Sequence, residues 1–198
     1  MVRDLELFSK RARLNTPASA TDIDEERAPS PDTHSMPPEA STMGVIERVD
    51  MINFMCHRNL SITLGPRINF IIGHNGSGKS AILTAITVTL GGKAQTTSRG
   101  SSLKDFILEG AQAAEVRVRL RNGGSDAYRP DLYGDAINIE RRIHSDGSGS
   151  WKIKNADGKT ISTKREELDA ICDHANIQVD NPMNILSQDA ARQFLGSS

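Results

Sequence analysis

An apolar run that feeds directly into a glycine-rich loop constrains this chain more than any other feature. Residues 68–80 read INFIIGHNGSGKS, and Gly73, Gly78, Lys79 and Ser80 satisfy the spacing G-x-x-x-x-G-K-S. Each residue type has a mechanical reason. Glycines at Gly73, Gly76 and Gly78 let successive N–H groups turn inward toward phosphate oxygens with no Cβ in the way. Lys79 supplies a point charge for the β and γ phosphates, and the Ser80 hydroxyl is placed to ligate the Mg²⁺ that bridges them. The helix expected to start there adds free N–H groups and the positive end of its dipole. The candidate nucleotide-binding set is therefore Gly73, His74, Asn75, Gly76, Ser77, Gly78, Lys79, Ser80 and Ala81.

Context separates this match from a chance glycine-rich turn. Ile68, Phe70, Ile71 and Ile72 predict a short strand buried on both faces. The spacing of Ile82, Leu83, Ile86 and Leu90 predicts a helix over 79–90 with those residues as its apolar face, stopped by Gly91-Gly92. Strand, loop and helix follow in the order a phosphate-binding loop requires.

With 198 residues and 37% hydrophobic content, the chain suits one medium domain, or one domain with a tail. Residues 1–43 form that tail. They hold Pro17, Pro29, Pro31, Pro37 and Pro38 of the chain's eight prolines, amid Ser, Thr, Ala and acid, and such a segment buries too little apolar surface to offset its conformational entropy. Lys10, Arg11 and Arg13 are either part of a nuclear-import signal or three solvated charges. A net charge of -1 gives no global push toward nucleic acid. Cys56 and Cys172 lie far apart, and neither Cys56-His57 nor Cys172-Asp173-His174 matches a zinc spacing. No apolar run has the length of a membrane span and the N-terminus lacks a secretory core, so the expectation is a cytosolic or nuclear chain without membrane contact.

From Gly44 two strands precede the loop, over roughly 45–55 and 60–64, with a turn at Gly65-Pro66. Arg58 between them is either a nucleotide contact or a surface charge. After the helix, Ser102 and Asp105 cap a short helix that buries Phe106 and Ile107. Residues 115–121 alternate strictly, with Val116, Val118 and Leu120 on one face and Arg117, Arg119 and Arg121 on the other. With Arg141, Arg142, Lys152 and Lys154 on a hairpin over 136–155, this stripe is either a solvated sheet face or a surface that tracks DNA phosphates. Thr163 to Glu166 reads as a capping box opening a helix with Leu168 and Ile171 inside. Met183 to Leu186 reads as one more strand, followed by Gln188, which could ligate Mg²⁺ or orient a water.

Hydrolysis at a phosphate loop also needs a strand ending in a metal-holding acid, and none follows Ser80. The site therefore reads as half of something. The stretches GHNGSGKSAILTAITVTLGG, SRGSSLKDFI and NIQVDNPMNILSQDAARQFL resemble the N-terminal part of an SMC-type ATPase head, of the branch that builds the SMC five/six chromosome-maintenance complex. The resemblance covers about Gly44 to Leu195. It implies an α/β P-loop NTPase fold of ABC-ATPase head type, here the N-terminal lobe: antiparallel hairpins, a core strand, the Walker A loop and its helix. It leaves 196–198 as the start of a coiled coil or a linker. It implies that Lys79 and Gln188 act in ATP chemistry, that Ser80 and Gln188 hold Mg²⁺, and that Arg99 lies near nucleotide or DNA. It further implies ATP turnover only with a C-terminal head half and a partner head. The implied partners are the number-five SMC protein, a kleisin, associated non-SMC subunits and DNA, on chromosomes in the nucleus. The alternative is a DNA-binding module in which Arg117 and Arg119 grip the backbone and nucleotide matters little.

Overall fold

A computed structural model of the chain describes residues 42–97, 100–181 and 184–186. Its centre is one six-stranded sheet in the order β2-β1-β3-β4-β5-β6. The strands are β1 (Ile46–Phe54), β2 (His57–Thr63), β3 (Ala113–Arg121), β4 (Ala136–His144), β5 (Gly149–Lys154) and β6 (Thr160–Ser162). Every neighbouring pair is antiparallel. Helix α1 (Lys79–Thr89) and helix α3 (Arg165–His174) contribute to the buried core, while α2 (Pro130–Tyr133) is a single turn between β3 and β4.

The strict period of two along these strands sorts the side chains onto two faces. On the inner face the register lines up Ile62, Val49, Val118, Ile139 and Ile153 across five strands, and all five are buried. Each contributes roughly 1.5–3 kcal/mol of burial. Helix α1 joins this core through Ile82, Ala85 and Val88, and α3 through Leu168 and Ile171. Thr84 and Thr87 are buried in α1 because their hydroxyls donate to the carbonyls of Ser80 and Leu83. One cation shares the inner face. Arg141 is buried opposite Trp151, its guanidinium carbon 3.3 Å from the indole centroid, and Trp151 Nε1 donates to the Thr89 carbonyl at 3.0 Å.

The outer face carries charges of both signs. Asp50, Arg117, Glu140 and Lys152 stand opposite one another on successive strands. Glu140, whose side chain is nearly buried, accepts from Lys154 at 2.7 Å and pairs with Arg117 and Lys152 at 3.4 and 3.7 Å. Burial alone would raise its pKa, but the hydrogen bond and charge of Lys154, with Arg117 and Lys152, hold it below 4.5. Glu47 bridges Arg119 and Arg121 in the same way.

Four sequence expectations need correction. Residues 68–72 do not form a strand: Ile68, Phe70 and Ile72 are 81, 67 and 61% exposed. A strand buried on both faces needs a ladder on each side, and no described strand pairs with this one. Leu83 is exposed and Ile86 only partly covered, because α1 packs on the sheet through its smaller Ala and Val side, where close approach is possible. Lys164, not Thr163, stands at the N-cap of α3, without a side-chain cap bond. Met183 lies outside the described residues, and Asn184 to Leu186 form no strand, the amides of Asn184 and Ile185 both donating to the Asn181 carbonyl. The Ser102–Asp105 capping box is present as expected, on a 3₁₀ turn over Leu103–Phe106. Among the described residues no helix is long and apolar enough to cross a membrane.

Because the folded-state pKa of Glu140 lies below its unfolded value, its stabilisation is full above about pH 4.5 and is lost as pH falls through the lowered value. Glu140→Gln should therefore cost about 1–3 kcal/mol near neutrality, with the gap to wild type closing as pH falls below about 4.5 and through the lowered value. Urea unfolding across that range checks it.

Candidate nucleotide-binding site

The phosphate loop sits at the tip of the β1–β2 hairpin. Only Met55 and Cys56 separate the paired residues Phe54 and His57, so the chain reverses within two residues. Met55 adopts φ 51, a left-handed conformation that costs a side-chain-bearing residue about 1–2 kcal/mol. Its surroundings hold it there. Its amide donates to the Phe106 carbonyl at 2.7 Å, the Leu108 amide donates to the Asn53 carbonyl, and the Phe54 and Phe106 rings stack at 5.7 Å.

Against this tip lies Gly78, the residue before α1. It takes φ 86, ψ 17, and a Cβ there would stand 2.1 Å from His57 Nε2 and 2.6 Å from the Cys56 sulfur. Only glycine fits. The Ser77 amide donates to the His74 carbonyl and the Ala81 amide to the Gly78 carbonyl. Lys79 Nζ donates to the carbonyls of Gly73 and His74, each at 2.7 Å. The ammonium thus uses the loop's own oxygens as acceptors. The Ser77 hydroxyl is buried without a hydrogen-bond partner, and a phosphate oxygen would suit such a donor.

A cleft of about 430 Å³ is lined by Met55, Cys56, Asn75, Gly76, Gly78, Lys79, Ser80 and Ala81. The loop therefore gathers most of the expected set, and Ser80 opens α1 at the cleft. Gly73 and His74 are exposed and take part through their carbonyls. Arg58 is exposed on β2 and is not among the lining residues. Arg117 and Arg119 line a separate cleft of about 460 Å³ on the outer sheet face, with Asp50, Glu140 and Asp157 among its walls. Arg117 pairs with Glu115 and Glu140, and Arg119 with Glu47 and Asp135. Arg99 and Gln188 lie outside the described residues.

Sequence reasoning did not place Met55, Cys56 and His57 in this site. Nothing local connects positions 57 and 78. The sequence offers Cys56-His57 only as a pair whose spacing matches no zinc pattern.

Residues 48–197 match the family described as AAA domain. Over 156 residues the chain is 54% identical to structural maintenance of chromosomes protein 6 of Schizosaccharomyces pombe, covering 79% of this chain and 14% of that protein. Its human counterpart is 50% identical over 159 residues, covering 80% of this chain and 15% of that protein. The chain belongs to the SMC ATPase-head family. It corresponds to an N-terminal head region of protein 6 type and spans 14–15% of the length of these relatives. Its fold is also similar to a chain solved in work on ATP-driven dimerization and DNA-stimulated activation of SMC ATPases. That match has TM-score 0.66 and 29% identity, covering 77% of this chain and 92% of that one. The Pyrococcus furiosus Smc head, solved bound to the C-terminal domain of ScpA, matches at TM-score 0.60 and 29% identity, covering 79% and 39%. These heads are of the ABC-ATPase type expected from the resemblance.

In the phosphate loop the left-handed glycines Gly76 and Gly78 should differ in tolerance. Gly78→Ala forces a clash with His57 and should cost about 2–4 kcal/mol. Gly76→Ala, at φ 84 with open space around it, should cost only the backbone penalty of about 1 kcal/mol. Urea unfolding without nucleotide compares them. The two thiols should also separate. Cys56 is exposed in the cleft, whereas Cys172 is buried and its pKa is pushed up to about 11 by that burial. Iodoacetamide should label Cys56 alone, and ATP should slow the labelling, as mass spectrometry can show.

Proposed function

We propose that this region binds ATP with Mg²⁺ as one half of an SMC head, and that nucleotide draws two heads together in a complex that entraps DNA. Chromosome maintenance and DNA repair in the nucleus are the corresponding roles. The observation that carries the reading is a formed phosphate loop beside an apolar segment, residues 68–72, that pairs with no strand among the described residues. A C-terminal head half would supply the neighbouring strands, the signature motif and the acid that the described residues lack. Burying Ile68, Phe70 and Ile72 against it would contribute roughly 1.5–3 kcal/mol per side chain.

At the loop, nucleotide would replace two neutral carbonyls as the acceptors of Lys79 by phosphate oxygens, a charge-assisted and stronger pairing. Backbone N–H groups at the start of α1 would face the same phosphates. Ser80 and Gln188 would hold Mg²⁺, which neutralises charge between β and γ phosphates, and Arg58 and Arg99 are further candidate contacts. The number-five SMC protein, a kleisin and non-SMC subunits are the proposed partners, in keeping with a related head having been solved with ScpA. The alternative reading, a module that grips DNA through Arg117 and Arg119, has less support, since carboxylates occupy both arginines.

Lys79→Ala in the complete protein with its partner head removes the cation facing the phosphates. Site-directed cross-linking across the two heads should fall to its nucleotide-free level. Cross-linking that still responds fully to ATP would overturn the proposal.

A further inference from the structure

The Gly78 carbonyl is held from two sides. It accepts from the Ala81 amide at 2.9 Å, which starts α1, and it lies 3.3 Å from Nε2 of His57. A carbonyl oxygen is an acceptor only, so the Nε2 that makes this contact carries the hydrogen. His57 is 4% exposed, and its neighbour Cys56 packs on the same side of Gly78. The ring is therefore almost wholly shielded from water.

The peptide that carries the Gly78 carbonyl also carries the Lys79 N–H. That peptide is trans and planar, so its N–H points opposite to its C=O. Fixing the carbonyl toward the hairpin tip fixes the Lys79 amide away from it, on the side where a phosphate nest forms. Besides the Ala81 amide, His57 is the group that holds this peptide against turning over. Glycine at 78 has no Cβ and visits both hands of the backbone readily.

We propose that His57 is a positioning residue of the nucleotide site, which locks the Gly78–Lys79 peptide so that the Lys79 amide faces phosphate. This rests on the ATP-binding reading above. It assigns the hairpin tip a task that the phosphate-loop motif does not contain: the donor comes from a residue 21 positions earlier in the chain.

The test uses the complete protein and three variants. His57→Gln keeps an N–H at about the reach of Nε2, while His57→Leu and His57→Phe fill the space without a donor. Titration with a fluorescent ATP analogue reads affinity, and the unfolding midpoint without nucleotide reads packing. The two donorless variants should bind ATP about 5- to 10-fold more weakly, the value of one lost hydrogen bond. The glutamine variant should stay within about twofold of wild type although its midpoint falls as far as theirs. Equal losses of affinity in all three, following their midpoints, would reduce His57 to a packing residue and overturn the inference. Donorless variants that bind like wild type would overturn it too. A wild-type protein that binds no ATP would overturn the nucleotide reading itself, and this inference with it.

Discussion

Helix α1 is held at both ends through backbone carbonyls, and the geometry of the phosphate loop depends on that double attachment. At its start the Gly78 carbonyl meets His57 from the hairpin tip. At its end the Thr89 carbonyl accepts from Trp151 on β5, and the Gly91 carbonyl accepts from Arg165 on α3 at 2.8 Å. The last carbonyls of a helix have no intrahelical partner, and the negative end of the dipole favours cationic donors there. Between the two attachments, Ile82, Ala85 and Val88 rest in the core formed by the inner sheet face. A helix fixed in translation and rotation presents its first amides in one direction, and an anion site needs that.

The same sheet register decides the character of the outer face. It places Asp50 against Arg117, Arg117 against Glu140, and Glu140 against Lys152. A slip of one residue on any strand would exchange the apolar and charged faces, so burial of the Val49–Val118–Ile139 row enforces the charge pattern as well. The result is interleaved charge rather than a field of one sign. Backbone tracking by nucleic-acid-binding surfaces draws on cations free to meet phosphate. Here Arg117, Arg119, Arg121, Lys152 and Lys154 already have carboxylate partners at Glu47, Glu115 and Glu140.

Much of this was legible in the chain. The strict alternation of 115–121 announced β3, because a period of two is a local signal, and the hairpin expected over 136–155 is β4–β5. The glycine and lysine spacing placed the loop, and the helix after it runs to Thr89, one residue short of the expected end. Pairings distant in sequence were not legible. The basic stripe on β3 leaves a solvated face and a phosphate surface open in the sequence, because most of its carboxylate partners, Glu47 and Glu140, come from β1 and β4. The contact of His57 with Gly78 was not legible, because Gly78 lies 21 positions later, beyond the strand and loop. Leu83 and Ile86 follow helical spacing faithfully, but spacing cannot say which side of an apolar helix meets the sheet when Ala and Val line the other.

Residues 68–72 show the same limit from the opposite direction. Ile68, Phe70 and Ile72 on one face with Ile71 on the other call for burial on both faces, yet only Ile71 packs against the core and the other three stand exposed. Propensity cannot build a strand, because each amide and carbonyl must pair across a ladder and each side chain must meet another layer. The loop that follows escapes this dependence: its turn closes on itself, Lys79 bonds back to Gly73 and His74, and Gly78 leans on the hairpin tip. One side of the site is thus built by the described residues themselves, through contacts that need nothing further. The other side is written only as hydrophobicity, which specifies that a neighbour is required and leaves its identity to be supplied from elsewhere. In the proposed reading, a nucleotide site divided in this way would couple nucleotide affinity to assembly, since a neighbour that covers residues 68–72 would also steady Gly73 at the mouth of the loop.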